Sequence, residues 1–245
     1  MKHPATAAKA YRLLSSILKT AVSDGVITAN PCRVRGAGVE RSPERPVARL
    51  DDVEALARAM PERLRVVVLL AAWCQLRRGE ILALRRSDID VVNETVIITK
   101  SRTFTMGGSS IEKEPKTAAG VREIAVPSQV MRALGTHLEK FVDENPDSYL
   151  LTDAAGQPLS ANSLHGHWRR ARQKVGCLEL RFHDLRHFGL TMAAGTGATV
   201  AELMHRAGHT SFAAAQRYQH ASRDRDRTLA RALDAVLGVD DTSAR

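Results

Sequence analysis

Tyr218, in the segment Gln216-Arg217-Tyr218, stands nine residues after Gly208-His209 and downstream of His183-Asp184-Leu185-Arg186. With Arg77 and Lys116, these residues supply one potential nucleophile, two arginines, a lysine and two histidines. Breaking a phosphodiester needs a nucleophile, cations around the nonbridging oxygens and an acid for the leaving oxygen. The set holds a candidate for each. A phenol has a pKa near ~10, so Tyr218 needs neighbours to help it attack at neutral pH. His183 and Arg186 are i and i+3 on a predicted helix and are expected to share a face from which both reach one phosphate. Arg77, at the end of an apolar helix, is a second guanidinium that burial would hold still. Each residue also has an ordinary reading: His183 as a helix cap, Arg77 paired with Glu80, Tyr218 as a half-buried aromatic. Their order and spacing together favour the chemical one.

The elements that must position these groups are mostly helical. Residues 6 to 22 put Ala7, Ala10, Leu13, Leu14, Ile17, Leu18 and Ala21 on one stripe, ended by Asp24-Gly25. From Arg33 to Val47 the chain is rich in Gly, Pro and Arg with no apolar period, which reads as a linker. Asp51 and Glu54 suggest a cap and capping box opening the main domain. Helices are expected over Asp52 to Met60 and Pro61 to Cys74, with Pro61 at the first helical position of the second. A shorter helix follows through Glu80, Ile81, Leu82 and Leu84, and then a turn at Asp88-Ile89-Asp90. The β-branched runs Thr95 to Thr99, Arg102 to Thr105 and Val121 to Val126 predict one small antiparallel sheet, with Lys116-Thr117 in the loop before its last strand. Beyond Pro127 helices are expected at about 128 to 143, 160 to 175, 183 to 194, 199 to 206, 211 to 219 and 224 to 237. Thr199 and Glu202 form a capping box, and Gly208 suits the stop of that helix. The fold class is therefore mainly α with a small antiparallel β-sheet, α+β.

The chain has 245 residues, 44% of them hydrophobic, enough for one large domain with a true core. Its longest apolar run, Val66 to Cys74, is far shorter than the roughly 20 residues of a membrane helix, and the N-terminus has no signal-like apolar stretch. No membrane association and a cytoplasmic setting are expected. Cys32, Cys74 and Cys177 are scattered, giving neither a disulfide framework nor a zinc site. The net charge is +9, with arginines dominating the excess, so a polyanionic partner is the first expectation.

In sum of motifs, the chain resembles the tyrosine recombinase (phage integrase) family. The resemblance is carried by Leu76-Arg77-Arg78-Gly79-Glu80, Pro115-Lys116-Thr117, His183-Asp184-Leu185-Arg186-His187, Ala207-Gly208-His209-Thr210-Ser211 and Gln216-Arg217-Tyr218, over roughly residues 50 to 238. It implies the integrase catalytic-domain fold and a site-specific DNA recombinase acting in integration or excision. By the same resemblance Tyr218 attacks the scissile phosphate, giving a 3′-phosphotyrosyl link and a free 5′-hydroxyl. Arg77 and Arg186 stabilise the transition state, Lys116 protonates the leaving oxygen, His183 assists proton transfer at the tyrosine, and His209 hydrogen-bonds a nonbridging oxygen. Glu80 is read as a brace for Arg77. The phosphotyrosyl bond conserves the energy of the broken one, so no nucleotide cofactor and no metal are implied.

The partner implied is double-stranded DNA, bound as a homotetramer. The stripe Leu229, Ala232, Leu233, Val236 and Leu237 either packs on its own domain or docks on a neighbouring subunit. Arg169, Arg170, Arg172 and Lys174 are candidates for DNA contact. Residues 1 to 40 read as the remnant of an N-terminal core-binding domain that helps clamp DNA. A linker at 41–49, the catalytic domain at 50–238 and a tail at 239–245 follow. The chain departs from the family at Gln75, where a glycine is usual, and at Ala207, where a leucine is usual; both changes are expected to alter packing only.

Three other readings have sequence support. The short N-terminal region suits a catalytically impaired module that binds DNA without cutting it. His183 with His187, and His205 with His209, have the i,i+4 spacing of a metallohydrolase. However, Gly208 should break the second helix, and no glutamate follows the first histidine. A type IB topoisomerase would use similar chemistry to relax supercoils.

Overall fold

The computed structural model describes residues 4–39, 48–105, 110–114 and 120–208, together with 212, 230, 231, 233 and 234. The chain divides into two compact units, Met1–Pro46 and Val47–Arg245.

In the first unit, helix α1 spans Pro4–Ser23. The residues after it fold back along it. Asn30 donates its side-chain amide to the Ser15 carbonyl at 2.9 Å, the Tyr11 hydroxyl accepts the Val34 N–H at 2.7 Å, and Arg12 Nη1 donates to the Gly38 carbonyl at 3.2 Å. The start of the expected linker is therefore docked chain: backbone groups that no helix or sheet satisfies take partners from the polar side chains of α1. Leu13, Leu14 and Ile17 on α1 remain exposed.

The second unit is built around α3 (Arg65–Trp73), six of whose nine side chains are buried. An all-round apolar helix belongs at the centre of a domain. It is surrounded by α2 (Leu50–Ala59), α5 (Ser128–Phe141) and α7 (Phe182–Gly195), with α6 (Ala161–Val175) packed on α2. Trp73 meets Phe188 edge to face at 5.6 Å, and Trp168 meets Phe182 likewise at 5.5 Å. Cys74 is fully buried, as a core residue should be, and burial pushes its thiol up to about 12.

Helix α4 is a single turn, Arg78–Ile81. β1 (Ile89–Asp90), β2 (Thr95–Ile98) and β5 (Arg122–Ala125) form an antiparallel sheet in the order β1-β2-β5. β3 (Ser101–Phe104) and β4 (Ser110–Lys113) make a separate antiparallel pair. The sequence suggested one sheet, a turn at 88–90 and no strand at 110–113. The polar alternation of Ser-Ile-Glu-Lys hides β4, and Ile89-Asp90 pairs only because β2 lies alongside it. Helix α8 spans Val200–Ala207.

Two helix starts differ from expectation. The cap of α2 is Arg49 rather than Asp51, and the Asp52 carboxylate accepts the Arg49 N–H at 3.3 Å, replacing the expected Glu54. Pro61 leads into a 3-10 turn, Glu62–Leu64, from which α3 continues. The Arg49 arrangement recurs: Asp88 accepts from the Arg85 N–H, Glu80 from Arg77 and Asp184 from Arg181, at 2.7–2.8 Å. In each, an acid in the first turn satisfies the backbone N–H of the capping arginine.

Candidate active site

Arg77 caps α4 in this way, its backbone held by Glu80 at 2.8 Å. The same carboxylate receives Arg77 Nη1 at 2.8 Å, and it accepts Arg122 Nη1 and Nη2 at 3.1 and 2.9 Å. Glu80 thus serves four donors. Burial alone would raise its pKa, but the hydrogen bonds and charge of Arg122, with those of Arg77, outweigh burial and hold it below the usual carboxylate range. The brace between Glu80 and Arg77 is present, and it extends to an arginine that sequence reasoning missed. Strand alternation carried the signal: Arg122 shares the inward register of β5 with Ile124, and an inward charge requires a partner.

The second support comes from the end of α8. Thr199 and Glu202 close its start reciprocally, and Gly208 ends it at φ +56°, left-handed backbone that glycine adopts without steric cost. The last carbonyls of a helix lack internal partners and carry partial negative charge. Here three successive carbonyls each take an arginine. Arg206 O accepts Arg122 Nε at 3.2 Å, Ala207 O accepts Arg186 Nη2, and Gly208 O accepts Arg77 Nη2 at 2.9 Å. The structure brings Arg77 and Arg186 together on one helix end, each guanidinium oriented by a carbonyl there.

Arg186 lies deeper than its spacing suggested. It is 2% exposed and also donates to the Gln75 carbonyl, whereas His183 reaches solvent. Positions i and i+3 differ by about 60° around a helix, and that angle separates the rim of the site from its floor. Arg77 keeps 39% of its side chain accessible. The His183 ring packs edge-on to His187 with centroids 4.8 Å apart. Desolvation, then His187, Arg186 and Arg77, push its pKa down to about 4, against a smaller opposing effect of Asp184. At neutral pH the imidazole is uncharged and can accept a proton.

Lys116, His209 and Tyr218 lie outside the described residues, as does most of the expected terminal stripe; Leu233, within it, is exposed. The β3-β4 pair that precedes Lys116 is firmly held. Buried Arg102 donates to the Leu82 and Leu159 carbonyls at 3.2 and 3.3 Å, and Glu112 accepts from Tyr149 and pairs with Arg85 at 3.2 Å.

Among the expected DNA contacts on α6, Arg169, Arg170 and Lys174 are exposed. Arg172 is instead spent on the Leu178 and Leu180 carbonyls, at 2.6 and 2.8 Å, latching the turn after α6. His205 Nε2 donates to the Glu123 carbonyl at 3.0 Å. Among the described residues, no three potential metal ligands cluster, and no helix is long and apolar enough to cross a membrane.

The profile of the phage integrase family matches residues 47–225. The chain is 41% identical over 238 residues to a putative prophage phiRv2 integrase of Mycobacterium tuberculosis, covering 95% of this chain and 63% of that protein. It is 35% identical to the integrase of Mycobacterium phage L5, covering 96% and 64%. The chain thus spans a little under two thirds of the length of these relatives. The Tn1549 transposon integrase in complex with transposon right end DNA shares the fold at a TM-score of 0.76 and 22% identity, over 91% of this chain and 77% of that one. XerA recombinase does so at 0.58 and 22%, over 80% and 68%. With that family match over residues 47–225 and relatives of this identity, this chain belongs to the phage integrase family.

Proposed function

We propose that this chain carries the catalytic domain, residues 50–238, of a site-specific DNA recombinase. The observation that carries the reading is the fixing of Arg77 and Arg186 on adjacent carbonyls at the end of α8. Preorganised cations aimed at a phosphate are the largest contribution a protein can make to phosphoryl transfer. Tyr218 Oη attacks the scissile phosphorus, a P–O bond to tyrosine forms, and the bond to the 5′-oxygen breaks. Neutral His183 accepts the phenolic proton directly or through water, Lys116 supplies one to the leaving oxygen, and His209 bonds a nonbridging oxygen. A 5′-hydroxyl from another strand reverses these steps.

The partner in this reading is double-stranded DNA, in the cytoplasm. Exposed Arg169, Arg170 and Lys174 contact its backbone, and residues 1–40 form part of a DNA clamp. The working assembly is a tetramer joined through the C-terminal stripe. An open apolar groove of about 1300 Å³, lined by Trp73, Ile124, Val126, Met192 and Ala201, supports such docking.

The test is covalent trapping on a nicked suicide duplex from the host locus, in chelator, with wild type and Tyr218→Phe. A denaturation-resistant adduct that disappears in the variant is the expected result. DNA binding without an adduct would replace this reading with that of a non-cleaving DNA-binding module.

A further inference from the structure

Gln75 stands at φ +53°, a left-handed conformation that non-glycine residues seldom adopt, and it is 3% exposed. Something must hold a large polar side chain there. Its Nε2 donates to the Trp73 carbonyl at 2.8 Å and to the Ala72 carbonyl at 3.3 Å. Its Oε1 accepts Arg206 Nε at 2.7 Å. Arg206 in turn donates Nη2 to the Trp73 carbonyl at 3.0 Å and Nη1 to the Ala125 carbonyl at 3.2 Å.

These contacts surround the anchor points of Arg186. Two of its anchors are the backbone carbonyls of Gln75 and of Ala207, the residue after Arg206. The two carbonyls come from segments more than a hundred positions apart, and their separation sets the tilt of the guanidinium between them. The Gln75–Arg206 side-chain bond ties those same two segments together.

We propose that Gln75 and Arg206 form a bracket that positions Arg186 for transition-state stabilisation. They are positioning residues, acting through Arg186. The inference rests on the recombinase reading for its kinetic consequence, but its geometric part stands without it. With glycine at position 75, Arg206 loses its amide acceptor. With an apolar residue at 206, Gln75 Oε1 is left buried without its partner and the residue after it loses its tether.

The experiment measures single-turnover adduct formation at saturating protein, DNA affinity and Tm for Arg206→Met, Arg206→Lys, Gln75→Gly and the double variant Gln75→Gly/Arg206→Met. Displacing a catalytic group by about 1 Å costs on the order of a hundredfold, so Arg206→Met is expected to slow cleavage by about tenfold to a hundredfold with affinity within about twofold. Arg206→Lys recovers part of the rate. Gln75→Gly exchanges lost hydrogen bonds for unstrained backbone, so its Tm moves little while cleavage slows. The double variant is no slower than Arg206→Met, because the two side chains act as a unit.

Nitrogen-15 spectra of arginine-labelled protein without DNA give a readout independent of cleavage. Guanidinium protons of Arg186 exchange slowly in wild type and faster in Gln75→Gly and Arg206→Met. Wild-type cleavage rates in these variants, or rate losses that only follow losses of Tm or affinity, would overturn the bracket, as would unchanged Arg186 exchange. If wild type itself forms no adduct, the recombinase reading fails, and the exchange measurement alone decides whether the bracket exists. Gln75→Gly serves should Arg206→Met not fold.

Discussion

Arg77 donates through Nη2 to the carbonyl of Gly208 at 2.9 Å, across 131 positions of sequence. The bond joins the first motif of the chain to the Gly-His motif, so a change at either end should be felt at both.

Gly208 is the more sensitive end. Its φ of +56° is one that a Cβ disfavours, so Gly208→Ala should lower stability by about 1–2 kcal/mol and displace the carbonyl that orients Arg77. Denaturant unfolding checks the first effect and suicide-substrate cleavage the second. Gly208→Asn, which tolerates left-handed backbone, should retain more of both.

Glu80 balances Arg122, whose side chain is only 1% exposed. Removing one member of a buried pair strands the other, typically at about 3–5 kcal/mol. Glu80→Ala should show a loss of that size in chemical denaturation, and Glu80→Gln a smaller one because its amide oxygen still accepts. A loss under about 1 kcal/mol would show a surface-like pair.

Gly189 faces α3 so closely that an added Cβ would lie 1.7 Å from the Ala72 carbonyl oxygen. Backbone cannot yield as a flexible side chain does. Gly189→Ala is expected to destabilise by about 3 kcal/mol or more, at or beyond the upper end of overpacking costs. Calorimetry on the purified variant tests it.

His183 ties stability to pH. Its pKa falls from 6.5 to about 4 on folding, so between those values the unfolded chain binds more protons than the folded one, and stability rises with pH. The contribution is complete above about 6.5 and is lost as pH falls toward 4. An imidazole nitrogen-15 titration should find His183 still neutral at pH 5, and His183→Gln should flatten the stability profile in that window.

The sequence by itself determined much of the local architecture. The helix over Val200–Ala207, its Thr199–Glu202 box and its stop at Gly208 were legible because caps and periodicity are written within four residues of where they act. The pairing of Arg77 with Glu80 was legible for the same reason. Motif order identified the family, since motifs are read along the chain.

Only the tertiary structure decided where the arginines go. Arg122 meets Glu80 across 42 positions, Arg186 meets the Gln75 carbonyl across 111, and Arg206 meets the Gln75 amide across 131. No local periodicity encodes such distances. The left-handed backbone of Gln75 was equally hidden, because glutamine does not announce it; the bonds that accompany it come from chain that arrives only on folding. The types of the site residues are a property of the sequence. Their aim is set by a helix end whose unpaired carbonyls, once brought beside them by the packing of α7 and α8, hold three guanidinium groups at once.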